Sequence, residues 1–163
     1  MSIRESAAIL AGCLLKRSSG IVLEGRLSMD DVQAHGQEPS QRKLLIVDDE
    51  EKICRMLAQH FSFNGYEVRT VCRGEEALVL ARIFHPHVVL LDLLMPGMNG
   101  VDTLKGLKQL IPPPKILMIS AADHREVVHG ALDLGADFYV CKPVDLSELD
   151  ILVNGFCPPN TKR

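Results

Sequence analysis

From Lys43 onward, short apolar runs alternate with segments whose apolar residues recur at helical spacing. The runs are Leu44-Leu45-Ile46-Val47, Val88-Val89-Leu90-Leu91, Ile116-Leu117-Met118-Ile119 and Phe138-Tyr139-Val140. Each is short and almost unbroken, the texture of a strand buried on both faces. The stretch from Tyr66 to Val71 differs. Tyr66, Val68 and Thr70 alternate with Glu67 and Arg69, which suits a strand with one wetter face at a sheet edge.

Five helical patterns fill the intervals. Ile53, Leu57 and Phe61 repeat every four residues, with Cys54 and Ala58 beside them. Ala77, Leu78, Ala81 and Phe84 follow Gly74. Val101, Leu104, Leu107 and Ile111 run to the stop Pro112-Pro113-Pro114. Val127, Val128, Ala131 and Leu132 stop at Gly135, and Leu146, Leu149, Leu152 and Phe156 stop at Pro158. Asp123 and Asp145 are placed as N-caps, Gly65 and Gly135 as C-terminal stops.

Strict βα alternation predicts a parallel sheet with helices on both faces, and right-handed crossovers leave few ways to wind it. An alternating second strand at the edge favours the five-stranded, doubly wound α/β order 2-1-3-4-5. The predicted domain spans 43–157, with a tail at 158–163. Residues 1–42 form an extension: one short helix is expected over 5–17, and 28–42 lack any apolar period and read as a linker or loop.

Composition narrows the class. The chain has 163 residues, 47% apolar and 24% charged, with a net charge of −3. That excludes a collagen-like or wholly disordered chain and a general nucleic-acid binder. No run of 18 apolar residues exists, so no membrane insertion is expected. Leu10-Ala11-Gly12-Cys13 matches a lipoprotein-processing pattern, but only Ala7 to Leu10 precede the cysteine as an apolar stretch, too few for a signal peptide. The five cysteines (13, 54, 72, 141, 157) show no C-x-x-C, and free thiols in a reducing cytoplasm are the expectation. His85-Pro86-His87 precedes an apolar run as a turn would, and no metal role is assigned to it.

The candidate chemistry lies where the strands end. Asp48 and Asp49 follow the first strand, Asp92 the third and Ser120 the fourth. Lys142 follows the fifth, with Cys141 between. Taken singly, an Asp after a strand is a turn or cap residue. Jointly they share the carboxyl rim of one sheet, and strands 1 and 3 flank the point where strand order reverses, the ligand crevice of such sheets. Three carboxylates there need cationic compensation. Lys142 supplies one charge, and an oxygen-ligated Mg²⁺ suits the rest. A carboxylate so placed can attack phosphorus and form an acyl phosphate, with Lys142 and the Ser120 hydroxyl bearing charge on the phosphoryl oxygens.

Several blocks carry a family resemblance: Leu45-Ile46-Val47-Asp48-Asp49-Glu50, the run from Val88 through Asp92 and Met95-Pro96-Gly97 to Gly100, Ser120-Ala121-Ala122, Gly135-Ala136-Asp137-Phe138-Tyr139, and Lys142-Pro143. From about Lys43 to about Asn154 the chain resembles the receiver domain of two-component response regulators, a flavodoxin-like fold. The blocks occur in order, 43 residues from Asp49 to Asp92, 28 to Ser120 and 22 to Lys142. The resemblance implies that Asp92 accepts a phosphoryl group from a histidine kinase or phosphotransfer protein. It implies Mg²⁺ held by Asp48, Asp49, Asp92 and the Leu94 carbonyl, with Ser120 and Lys142 on the phosphoryl oxygens. Tyr139 matches an aromatic switch paired with Ser120, and the Lys142–Pro143 bond is expected to be cis. Output would pass through the surface of the fourth helix, fifth strand and fifth helix.

After Phe156 seven residues remain, so no recognition helix is encoded there. The expectation is a cytoplasmic phosphoacceptor rather than an enzyme, signalling to a protein target as a monomer or weak homodimer, or else a receiver piece of a larger regulator. An aspartyl-phosphate phosphohydrolase is the rival in chemistry. It needs an Asp two residues after the nucleophile, where this chain has Leu94. A phosphorylation-independent interaction module is the rival in function. Leu94 and Ala122, each two residues beyond a site residue, cannot polarise water, so a long-lived phosphoryl group is expected.

Overall fold

The computed structural model describes residues 24–25 and 42–157. The helix expected over 5–17, the processing-like Leu10–Cys13, most of the 28–42 linker and the tail at 158–163 lie outside the described residues. Five parallel strands, β1 (Lys43–Val47), β2 (Glu67–Val71), β3 (Val88–Asp92), β4 (Lys115–Ser120) and β5 (Phe138–Cys141), alternate with helices α1 (Glu51–Phe63), α2 (Gly74–Phe84), α3 (Gly100–Lys108), α4 (Arg125–Asp133) and α5 (Leu146–Phe156). Their spatial order is β2-β1-β3-β4-β5, the expected one. The alternating strand β2 sits at one edge, paired only with β1.

The pleat divides the core into two layers. Leu45, Val47, Val89, Leu91, Ile116 and Met118 face α2, α3 and α4, where Ala77, Ala81, Leu104, Leu107, Val128 and Ala131 meet them. Leu44, Ile46, Val88, Leu90, Leu117 and Ile119 face α1 and α5, against Leu57, Phe61, Leu149 and Val153. Unbroken apolar runs are therefore required, because both faces of these strands are covered. Each fully buried Leu or Ile contributes roughly 1.5–3 kcal/mol.

Three details depart from the sequence expectation. The third helix stops at Lys108, and Ile111 is 94% exposed rather than part of the apolar stripe. A residue before proline is pushed out of helical geometry, so Pro112 to Pro114 end the helix upstream of themselves. The fourth helix begins at Arg125 with His124 as its N-cap and no side-chain cap bond, so Asp123 is not the cap. Asp145 does cap α5, its carboxylate accepting from the backbone N–H of Ser147 and Glu148. Finally, Glu24–Gly25 pairs antiparallel with Phe138 and Tyr139 of β5, covering the second sheet edge with a segment whose sequence carries no strand pattern.

Candidate functional site

The carboxyl ends of β1, β3, β4 and β5 meet on one rim. Asp48 is the first residue beyond β1, Asp92 and Ser120 end β3 and β4, and Lys142 is the first beyond β5. Parallel pairing of β1 with β3, with Val47 opposite Leu91, brings Asp48 beside Asp92 although 44 positions separate them in sequence. One oxygen each from Asp48, Asp49 and Asp92 lies within 4.8 Å of the others.

Asp48 and Asp92 are buried, while Asp49 is exposed, so the cluster opens to water on one side. The Lys142 ammonium donates to Asp48 Oδ2 at 2.9 Å and to Asp92 Oδ2 at 3.1 Å. Glu50 Oε1 stands 3.9 Å from the same ammonium. The remaining oxygens of the buried pair take backbone donors: Glu50 N–H to Asp48 Oδ1 at 2.8 Å, and Leu94 N–H to Asp92 Oδ1 at 3.2 Å. Burial pushes the Asp92 carboxyl above its ordinary range, and the Leu94 N–H and Lys142 only partly offset it. Burial alone would lower Lys142, but Asp48 and Asp92 outweigh it and hold the ammonium above its ordinary value.

The loop after Asp92 is held by close backbone approach. A Cβ on Gly100 would lie 2.3 Å from the Asp92 carbonyl oxygen and 2.6 Å from Leu93 Cα, so only glycine lets α3 start there. Asn99 caps that helix, accepting from Asp102 N–H at 2.9 Å. The Lys142–Pro143 bond is cis, as expected. Ile111–Pro112 is cis as well.

A family model for the response regulator receiver domain matches residues 44–154. The chain belongs to this family. The probable transcriptional regulator ycf27 of Cyanophora paradoxa is 40% identical over 113 residues, which cover 69% of this chain and 47% of that protein. The chain thus spans about half the length of that curated relative. A response regulator structure from Chloroflexus aurantiacus superimposes with a TM-score of 0.67 at 32% identity, covering 72% of this chain and 98% of that one. The Borrelia burgdorferi CheX–CheY–BeF3–Mg²⁺ complex matches with a TM-score of 0.64 at 30% identity, covering 70% and 88%.

In this receiver every residue that the sequence singled out at the strand ends reaches the rim. Asp48, Asp49, Asp92 and Lys142 form one contact group. Ser120 is fully buried below it, its Oγ accepting from the Ala122 N–H at 3.2 Å. Tyr139 is buried too, and its hydroxyl donates to the Ala122 carbonyl at 2.7 Å. The backbone of Ala122 therefore links Ser120, through its N–H, to Tyr139, through its C=O. The Leu94 side chain is 60% exposed, with its backbone N–H on Asp92. Sequence reasoning gave Glu50 no role; its position next to two acidic residues was the available signal.

Proposed function

We propose that this receiver accepts a phosphoryl group on Asp92 from a histidine kinase or a histidine phosphotransfer protein. The observation that carries the reading is the Lys142 ammonium bridging Asp48 and Asp92 with Asp49 alongside. An Asp92 oxygen forms the new bond to phosphorus as the bond from phosphorus to the donor imidazole nitrogen breaks. The electron pair of that bond stays with the imidazole. Burial raises the pKa of Asp92, and the Lys142 ammonium at 3.1 Å offsets part of the cost of its ionised form.

The donor set fits a hard divalent cation: oxygen atoms only, few of them, with one side open to water. Mg²⁺ would be held by Asp48, Asp49, Asp92 and the Leu94 carbonyl, and when bound it neutralises charge on the carboxylates and the phosphoryl oxygens. The Mg²⁺ in the Borrelia complex supports the same choice. Lys142 gives its ammonium to the phosphoryl oxygens, and Ser120 turns its hydroxyl from the Ala122 amide towards them. Ser120 and Tyr139 both bond the backbone of Ala122, so that movement biases Tyr139 and the face of α4, β5 and α5.

On this reading the chain is a cytoplasmic phosphoacceptor rather than a turnover enzyme, passing its signal to a protein target as a monomer or weak homodimer. Curated relatives about twice as long support a second context, the receiver of a longer regulator. Incubation with acetyl phosphate and Mg²⁺ tests the chemistry. Wild type should incorporate phosphate, Asp92→Asn should not, and a chelator should abolish incorporation. Equal incorporation by Asp92→Asn, or none by wild type, would overturn it.

A further inference from the structure

The outer edge of β2 has no part in the chemistry above. Glu67 N–H donates to the Arg42 carbonyl at 2.8 Å, and Asp48 N–H donates to the Val71 carbonyl at 3.3 Å. Glu67 and Val71 therefore turn their backbone polar groups towards β1, and Arg69, two residues from each, does the same. The N–H and C=O of Val68 and Thr70 point the other way, off the sheet. β2 ends the sheet, and no strand among the described residues pairs with its outer side. Such an edge is ordinarily blunted by like charges, proline or a bulge. β2 reads Glu-Val-Arg-Thr-Val, without proline and with two charges of opposite sign. Glu67 and Arg69 share the face turned to α2. Glu67 Oε1 stands 3.4 Å from Arg69 Nη2, and the guanidinium, on a side chain 57% exposed, lies over the Phe84 ring at 5.7 Å. α2 adds apolar surface beside them. Leu78 faces α3, where a Cβ on Gly106 would meet its Cδ2 at 2.7 Å. Leu80 and Ile83 are turned from Leu78 by about 200° and about 140° round the helix, towards the β2 side. Ile83 is 75% exposed.

We propose that β2 pairs antiparallel with β2 of a second copy of this chain, about a two-fold axis through Val68. The two sheets then run on as one. With the axis there, Val68 faces its own copy and exchanges both N–H···O=C bonds with it. Glu67 comes opposite Arg69 of the second copy, and Arg69 opposite its Glu67. Symmetry therefore makes two cross-strand ion pairs from one patch. An axis moved one step, to Arg69, would still join Val68 to Thr70 by backbone bonds. It would also set two guanidinium groups face to face and leave Glu67 against Val71. Like charges directly opposite destabilise a strand pair, so the charges select the Val68 register. Ile83 from each copy flanks the paired strands with apolar surface. The interface rests on strands of five residues, so the dimer is weak and depends on concentration. It uses neither Asp92 nor Lys142 and stands independently of phosphoryl acceptance.

Sedimentation velocity of the full chain without phosphate, from micromolar to millimolar concentration, tests the interface. Wild type should pass from monomer to dimer as concentration rises. Glu67→Arg sets like charges opposite each other twice per dimer and should raise the dissociation constant about tenfold or more, as should Arg69→Glu. The double variant Glu67→Arg with Arg69→Glu restores opposite charges in the same register and should return the constant to within about threefold of wild type. Hydrogen exchange read residue by residue should show the Val68 and Thr70 amides gaining protection as the dimer forms. Arg69→Glu also loses the contact with Phe84, so circular dichroism accompanies the variants, and exchange in wild type carries the test if one misfolds. A wild type that stays monomeric, a dimer indifferent to Glu67→Arg, or a folded double variant as weak as the single ones would overturn the inference. So would full protection of Val68 and Thr70 in the monomer, which would put another segment of the same chain on the edge.

Discussion

The two rims of one sheet are built on opposite electrostatic terms. At the amino ends of the strands, Asp137 stands between two ammonium groups, Lys108 and Lys115, and accepts the Ile116 N–H at 2.8 Å. Nearby, His87 Nδ1 accepts the Lys43 N–H at 3.0 Å. A cavity of about 420 Å³ opens there among Arg82, His85, Phe156 and the prolines 112–114, away from the acidic cluster. At the carboxyl ends the ratio inverts: Asp48, Asp49 and Asp92 share Lys142, with Glu50 close by. One rim pairs a single carboxylate with two ammonium groups and fastens the strands. The other holds excess negative charge that an incoming cation relieves. We read the second rim as the working one because like charges crowded there favour a cation.

The largest expected effect is on chemistry. Lys142→Met should cut the rate of labelling by acetyl phosphate by about 10²–10³, the usual loss when one charge-stabilising donor is removed. A quench-flow or gel-based time course measures it, and an unchanged rate would place the compensating charge elsewhere. Next comes Asp137→Asn. Breaking a mostly buried pair leaves two lysines uncompensated, so stability should fall by about 3 kcal/mol in urea denaturation. Asp92→Asn should behave in the opposite way. Burial penalises its ionised form, so the neutral isostere should leave stability unchanged or raise it by about 1 kcal/mol in the same assay. Similar losses for the two aspartates would erase the distinction between the rims.

Smaller effects sharpen it. Leu94→Asn and Ala122→Glu should each shorten the lifetime of the phosphoryl group by about tenfold, because each offers a polar group to orient water. Equal decay of the three proteins would remove that role. The smallest effect concerns His87. Burial first, and then the Lys43 charge, lower its pKa from the ordinary 6.5. As pH falls below that value the unfolded chain takes up a proton that the folded chain refuses, so stability declines. His87→Gln should flatten the dependence of the urea midpoint between pH 7 and 5, and an unaltered slope would contradict the assignment.

The alternation of strands and helices was legible because burial on both faces forces unbroken apolar runs, and the edge strand because Glu67 and Arg69 interrupt its pattern. The site was legible for a topological reason. Once strand order is set, residues at the carboxyl ends must converge. Other features left no local trace. Glu24–Gly25 meets β5 through backbone hydrogen bonds, which need no particular side chains. Ile111 kept the helical spacing of α3, yet the proline brake acted three residues upstream of it, at Lys108. Asp137 was visible as part of a block, but its lysine partners come from the end of α3 and the start of β4, a contact that only the folded crossover creates.

The most direct test of the account is the location of the phosphoryl group. Wild-type protein labelled with acetyl phosphate and Mg²⁺, reduced with borohydride and digested, should give a single modified peptide with the adduct at Asp92. An adduct at Asp48, Asp49 or a histidine would contradict the account, as would a peptide map with none.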